Sequence, residues 1–151
     1  MKEVERIAEQ LRRAYEGEAW HGPSVKEALE GVTAAKAAEH PLQGAHSIRE
    51  IVIHILAGEE IVRRRLEGER AGVTEDEWWP PLSDTGEESW GTLLEALDAA
   101  NLRLREAIHA FDDARLDTPI AEGMSTIYIT LHGLIQHDLY HAGQIMLLKK
   151  A

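Results

Sequence analysis

Four long stretches of the sequence repeat their apolar residues at the spacing of an α-helix. In the first, about residues 2 to 17, Val4, Ile7 and Leu11 share one face. The second is "HSIREIVIHILAGEEIVRRRLEG", the third is "EESWGTLLEALDAANLRLREAIHAF", and the fourth covers about residues 125 to 150. No segment shows convincing alternation of apolar and polar residues at the period of two typical of a strand. The pattern predicts an all-α four-helix bundle.

Capping boxes mark several of the predicted helix starts. In this motif a Ser or Thr side chain binds the backbone at the first turn, and a Glu three residues later binds back. Three such pairs predict helix starts: Ser24 with Glu27, Ser47 with Glu50, and Thr85 with Glu88. The first pair predicts a short helix, and we expect one or two short extra helices in the first connection. Residues 69–86 hold a glycine and two consecutive prolines and are predicted to be a connection rather than an element.

Length and composition limit the classes of function. A chain of 151 residues fits one domain, residues 1–151, and can bury a core without disulfides. It contains no cysteine, so any metal site must use nitrogen and oxygen ligands. The net charge of −11 argues against a nucleic-acid partner. No apolar run approaches the roughly 18 residues of a membrane span, so we expect a soluble cytoplasmic protein without a membrane partner.

Three histidines lie where a metal could be bound. In "LIQHDLYHAGQI", His137 and His141 are four residues apart and project from one side of the predicted helix. His54 lies in the aliphatic segment "IVIHILAG". All three fall at the border of the apolar face, and the pattern alone permits either metal ligands or histidines bonded within the core. For the other five we expect surface or capping roles: His21, His40, His46, His109 and His132.

Two polar residues of the last helix lie close to these histidines. Asp138 falls within the apolar face, which predicts a buried carboxylate that needs a partner. That partner could be a basic residue, or Asp138 could orient a histidine of another helix. Gln144 lies on the histidine side of the helix, where it could touch a bound water or substrate or simply be solvated.

Three residues elsewhere could complete a site. Glu50 precedes His54 by one helical turn and could accept a hydrogen bond from its second ring nitrogen, although the capping box already explains this glutamate. Trp20 and Trp79 lie in predicted loops. They could select a substrate, or they could pack as a lid on the end of the bundle.

The sequence resembles the DinB-like superfamily of metalloenzymes, also called DinB/YfiT-like. Four segments carry the resemblance in order: "AWHGPS", "HSIREIVIHILAGEE", "EWWPP" and "LIQHDLYHAGQI". The most specific is the last, where the family pattern of His, three residues, His, then Gly-Gln-Ile matches His137, His141 and residues 143–145. The family's third metal histidine lies in the middle of the second long helix and matches His54.

This resemblance implies an up-down-down-up four-helix bundle, commonly a homodimer, in which His54, His137 and His141 hold a divalent metal ion such as zinc or nickel. Characterised relatives include thiol transferases that use bacillithiol or mycothiol, and a thiol-dependent maleylpyruvate isomerase. We therefore expect a metal-dependent enzyme with a small-molecule substrate. It would activate water, as a hydrolase, or a low-molecular-weight thiol cosubstrate, as an S-transferase. A non-catalytic bundle that binds a metal or a small molecule is the alternative.

Overall fold

A computed structural model describes residues 1–70 and 72–151 of the chain. All secondary-structure elements of these residues are helices. Four long helices form the bundle, and three short helices lie in the connections between them. In chain order they are α1 (Glu3–Glu16), α2 (Val25–Leu29), α3 (Ala34–Ala38), α4 (Ile48–Leu66), α5 (Glu75–Trp78), α6 (Glu87–His109) and α7 (Ile127–Lys150). The prediction of an all-α bundle with short helices in the first connection is confirmed.

The second and third long helices, α4 and α6, run in the same direction. The Arg49 guanidinium near the start of α4 donates to the hydroxyl of Ser89 near the start of α6. Further along both helices, the Asn101 amide donates to Oε1 of Glu59 at 2.7 Å. Because positions later in one helix meet positions later in the other, the two helices are parallel.

The first and last long helices run opposite to this pair. The backbone N–H of Val4 donates to Asp113, beyond the end of α6, whereas Tyr15 at the end of α1 donates to Asp98 in the middle of α6. Helix α7 is likewise antiparallel to α4, since Gly58 of α4 contacts Leu134 while His54, a turn earlier, lies against His141. The predicted up-down-down-up order is therefore confirmed.

The predicted helix starts are confirmed at two of the three capping boxes. Ser24 and Ser47 each cap their helix with the glutamate three residues later. The box predicted at Thr85 and Glu88 is wrong, because Gly86 is the N-cap of α6 and contributes no side chain. The reason is tertiary: the Arg49 guanidinium donates to the Gly86 carbonyl at 2.9 Å and to the Asp84 carbonyl at 2.6 Å, which fixes the chain at this point.

The second connection contains a helix that the sequence prediction missed. Residues Glu75–Trp78 form α5, and Thr74 and Glu77 form a capping box at its start. The interpretation of residues 69–86 as a connection without an element is thus wrong for these four residues. The same motif that marks α2 and α4 was present here, next to the two prolines that suggested a loop.

The core consists of two apolar clusters stacked along the bundle. One cluster joins α1 to the later half of α4 and the first half of α7, and the other joins α2 and α3 to the earlier half of α4 and the end of α7. Between them lies a polar layer of three side chains with no solvent exposure: Glu59, Asn101 and Asp138. Among the described residues, no helix combines the length and apolar character needed to cross a membrane.

Candidate metal centre

The three histidines predicted from the sequence converge between α4 and α7. Nε2 of His137 lies 2.8 Å from Nε2 of His54 and 3.2 Å from Nε2 of His141. One ligand atom from each ring lies within 4.8 Å of the others. Because α4 and α7 are antiparallel neighbours, one histidine from α4 meets two from successive turns of α7.

The opposite ring nitrogens are held by acceptors. Nδ1 of His54 lies 2.7 Å from the carbonyl oxygen of Trp78, and a carbonyl can only accept, so this nitrogen carries the proton. Nδ1 of His141 lies 2.6 Å from Oε1 of Gln144. Nδ1 of His137 has a longer contact, 3.4 Å, with Oδ1 of Asp138. With Nδ1 protonated, Nε2 of a neutral imidazole presents its lone pair to the centre of the cluster.

Burial keeps the three imidazoles in the neutral form that binds metals. Loss of solvent lowers the pKa of His54, with His137 adding to the effect, and it lowers the pKa of His137 by itself. Burial, followed by the proximity of His137, lowers the pKa of His141 to about 4. At neutral pH a metal ion therefore would not have to displace protons from these rings.

The tryptophan pair at the end of α5, Trp78 and Trp79, packs against the histidines. The ring of Trp79 stacks on His54 with 3.7 Å between centroids and an angle of 3° between planes, and on its other side it stacks on His46 at 3.9 Å. Helix α4 approaches the neighbouring side chains closely at Gly58, where a Cβ would lie 3.5 Å from Trp78 and from His137, an ordinary contact distance. The segment of Trp78 and Trp79, called the tryptophan loop below, thus covers the histidine cluster and supplies the carbonyl that orients His54.

Two contacts of the cluster were not predicted from the sequence. His46 is exposed, as expected, but its ring also stacks on Trp79, and Trp78 contributes its backbone carbonyl to His54. Glu50 is not a partner of His54, since its carboxylate binds the Ser47 backbone at 2.7 Å and His40 at 2.9 Å.

Trp20 is fully exposed and does not line the cavity beside the histidines. The sequence did contain one signal for the position of His46. This residue directly precedes the capping box of α4, and that box fixes how the chain enters the helix that carries His54.

Asp138 is buried as predicted, but its partner is another acid. Its side chain faces Glu59, and both carboxyl groups have no solvent exposure. Burial raises the pKa of each group, and the charge of Asp138 raises that of Glu59 further. Within residues 1–70 and 72–151, no basic side chain and no histidine of another helix bonds to Asp138, and the histidine that it approaches is its own neighbour His137.

A cavity of about 470 Å³ opens beside the cluster. Its lining includes the side chains of His46, Trp79, Tyr140, His141 and Gln144. A small molecule in this cavity would reach one of the three histidines directly. Among the described residues the site is therefore a histidine cluster with an adjoining pocket.

The donor set fits a divalent transition metal. Bonds from zinc to histidine nitrogen are about 2.0–2.1 Å long, so two such ligands of one ion lie roughly 3 Å apart. The separations of 2.8 and 3.2 Å match this spacing. Three imidazoles suit zinc, nickel or copper better than magnesium or calcium, which prefer oxygen ligands.

These features define a four-helix-bundle protein with three converging histidines that could hold a metal ion. Residues 19–145 match the family model of the DinB superfamily, so the chain belongs to that superfamily. Comparison with curated proteins found no match, and comparison with solved structures found none either.

Proposed function

We propose that the protein is a metal-dependent enzyme in which His54, His137 and His141 hold one divalent ion, zinc or nickel. The observation that carries the proposal is the orientation of the rings: acceptors lie at the Nδ1 atoms, while Nε2 of His137 lies 2.8 and 3.2 Å from Nε2 of His54 and His141, and one ligand atom of each ring lies within 4.8 Å of the others. Three protein ligands are the number typical of catalytic zinc sites, which keep a position for water or substrate.

The bound ion would supply Lewis acidity, lowering the pKa of a water molecule or of a low-molecular-weight thiol at that position. The residues of the chain do the rest. The Trp78 carbonyl and Gln144 fix the rings of His54 and His141, and Trp79 covers His54 and excludes water from that side. The cavity beside His141 gives a substrate access. Hydrolysis and thiol S-transfer are both compatible with this arrangement.

Metal content of purified variants tests the ligand assignment. Untagged protein should contain close to one equivalent of zinc or nickel by elemental analysis, and His141→Ala should lose it while keeping the helical circular dichroism spectrum. His132→Ala is the matched control, because His132 lies on the same helix outside the cluster and this variant should keep its metal. Full occupancy in His141→Ala would refute the assignment.

Activity assays separate an enzyme from a metal-stabilised bundle. The metal-loaded protein should turn over in a panel of ester and amide hydrolysis assays or in thiol-transfer assays with several thiol cofactors, and His141→Ala should not. If removing the metal strongly lowers the melting temperature, and neither panel shows turnover, the metal is structural. Melting shifts with small molecules but without turnover would instead support a binding module.

A further inference from the structure

The buried polar layer of Glu59, Asn101 and Asp138 leads from α6 across α4 to the histidine cluster. The Asn101 amide donates to Oε1 of Glu59 at 2.7 Å, and Glu59 is hydrogen-bonded to Asp138. Oδ1 of Asp138 lies 3.4 Å from Nδ1 of His137. The three side chains of the layer have no solvent exposure, so bulk water does not compete for these contacts. The layer thus connects a third helix to one of the three histidines.

The oxygens of the two acids divide into two kinds. Oε1 of Glu59 accepts from Asn101, and Oδ1 of Asp138 contacts His137. Oε2 of Glu59 and Oδ2 of Asp138 are buried and have no donor among the described residues. Two carboxyl oxygens repel each other unless a proton lies between them, and one shared proton satisfies both. Such a proton fixes the plane of the Asp138 carboxyl group and, with it, the position of Oδ1.

His137 depends on this carboxyl group more than the other two histidines do on theirs. Nδ1 of His54 has the Trp78 carbonyl at 2.7 Å, and Nδ1 of His141 has Gln144 at 2.6 Å. For Nδ1 of His137, the described part of the chain offers Asp138 alone, at the longer distance of 3.4 Å. An acceptor at the second nitrogen sets the tautomer and direction of a metal-binding imidazole. A long contact of this kind orients the ring only if the acceptor is itself held in place.

We infer that the polar layer positions His137 for metal binding, with Glu59 as the positioning residue that holds Asp138 against the ring. The inference rests on the proposed function, in which His137 is a metal ligand. It gives a role to two buried acids that do not belong to the ligand set.

Two substitutions of nearly equal size at Glu59 test the inference. Glu59→Gln keeps both contacts, because its carbonyl can accept from Asn101 and its amide can donate to Asp138. Glu59→Met keeps the length of the side chain and loses both contacts. In chelator competition at pH 7.5, Glu59→Met should raise the zinc dissociation constant about tenfold and Glu59→Gln less than about threefold, since losing an outer partner of a metal ligand costs roughly 10–100-fold. Equal dissociation constants of Glu59→Met and the wild type would overturn the inference.

Asn101→Leu tests the far end of the layer independently. It removes the donor to Glu59 and should weaken zinc binding by at least about threefold. In the Glu59→Met background it should have no further effect, because the contact that it removes is already lost. Additive losses would mean that each substitution merely disturbs the core, and they would contradict the inference. Ile108→Ala is the control for a cavity in the core, since Ile108 is buried about two turns beyond Asn101 on α6 and this variant should bind zinc like the wild type.

Nuclear magnetic resonance of the zinc-loaded protein reports on His137 directly. Its Nδ1 proton, hydrogen-bonded to Asp138, should give a downfield ring signal that exchanges slowly with water. Glu59→Met should speed this exchange about tenfold or more, whereas Glu59→Gln should leave it unchanged. The same rate in Glu59→Met and the wild type would show that Glu59 does not hold the contact. If Glu59→Met does not fold, Asn101→Leu decides the question by the same two measurements.

The titrations separate this inference from the proposed function. Failure of the wild type to take up zinc would refute the metal site and the inference with it. Zinc uptake without turnover in either assay panel would refute the enzyme, whereas weaker zinc binding by Glu59→Met would still support the positioning role. Zinc uptake with equal affinity in the wild type and Glu59→Met would leave the metal site standing and refute only the role of the polar layer.

Discussion

Replacing Glu59 with glutamine should change how stability depends on pH. Glu59 and Asp138 face each other with no solvent exposure, and burial outweighs the hydrogen bond from Asn101 and the charge of Arg105 in setting the pKa of Glu59. Since both carboxyl groups have a raised pKa, we expect the folded pair to keep one proton at neutral pH. In the unfolded chain both groups ionise near pH 4.

The sign and size of the effect follow from this retained proton. A group whose pKa is raised by folding contributes its full stability below the unfolded pKa, and that stability is lost as the pH rises toward the folded pKa. One extra proton in the folded state lowers the free energy of unfolding by about 1.4 kcal/mol per pH unit, or roughly 3 kcal/mol between pH 7 and 9. Glu59→Gln removes one of the two groups with a raised pKa, and the new amide can donate to the Asp138 carboxylate, so this slope should become smaller.

Guanidinium unfolding at pH 7, 8 and 9 with a chelator present measures the slope. Most of this range lies above the ordinary histidine pKa of about 6.5, so histidine titration adds little to the slope. Glu95→Gln, an exposed substitution on α6, is the matched control and should keep the wild-type slope. If the wild type and Glu59→Gln show the same slope, the pair does not retain a proton and the reasoning is wrong.

Two further predictions concern the metal and the start of α6. Zinc affinity, measured by chelator competition, should change less than about threefold between pH 7.5 and 6.5. The reason is that burial has lowered the pKa of all three histidines, that of His141 to about 4. The affinity should fall only at lower pH. A tenfold or larger fall across that unit would contradict the neutral-imidazole argument. Arg49→Leu should lower the free energy of unfolding, measured by denaturant titration, by about 2–4 kcal/mol, since it leaves the Asp84 and Gly86 carbonyls without their donor. A loss below 0.5 kcal/mol would show that these hydrogen bonds do not anchor α6.

Local sequence patterns predicted much of the fold and some of the residues that contact the three histidines. Ser24 and Ser47 cap their helices because a capping box is complete within four residues and needs no help from the rest of the chain. Thr85 failed for the opposite reason, since Arg49 of another helix fixed the start of α6. Gln144 was found because it shares a helix face with His141, whereas His46 was missed because only folding brings it to Trp79.

The sequence by itself determined the four long helices, the border positions of His54, His137 and His141, and the burial of Asp138, because helical periodicity fixes which side of a helix each residue occupies. Only the tertiary structure decided what those faces meet. The pairing of Asp138 with Glu59, the Trp78 carbonyl at His54 and the cavity beside His141 all join residues far apart in the chain. Contacts of this kind depend on how the antiparallel helices α4 and α7 pack and on where the tryptophan loop settles, which no local pattern encodes.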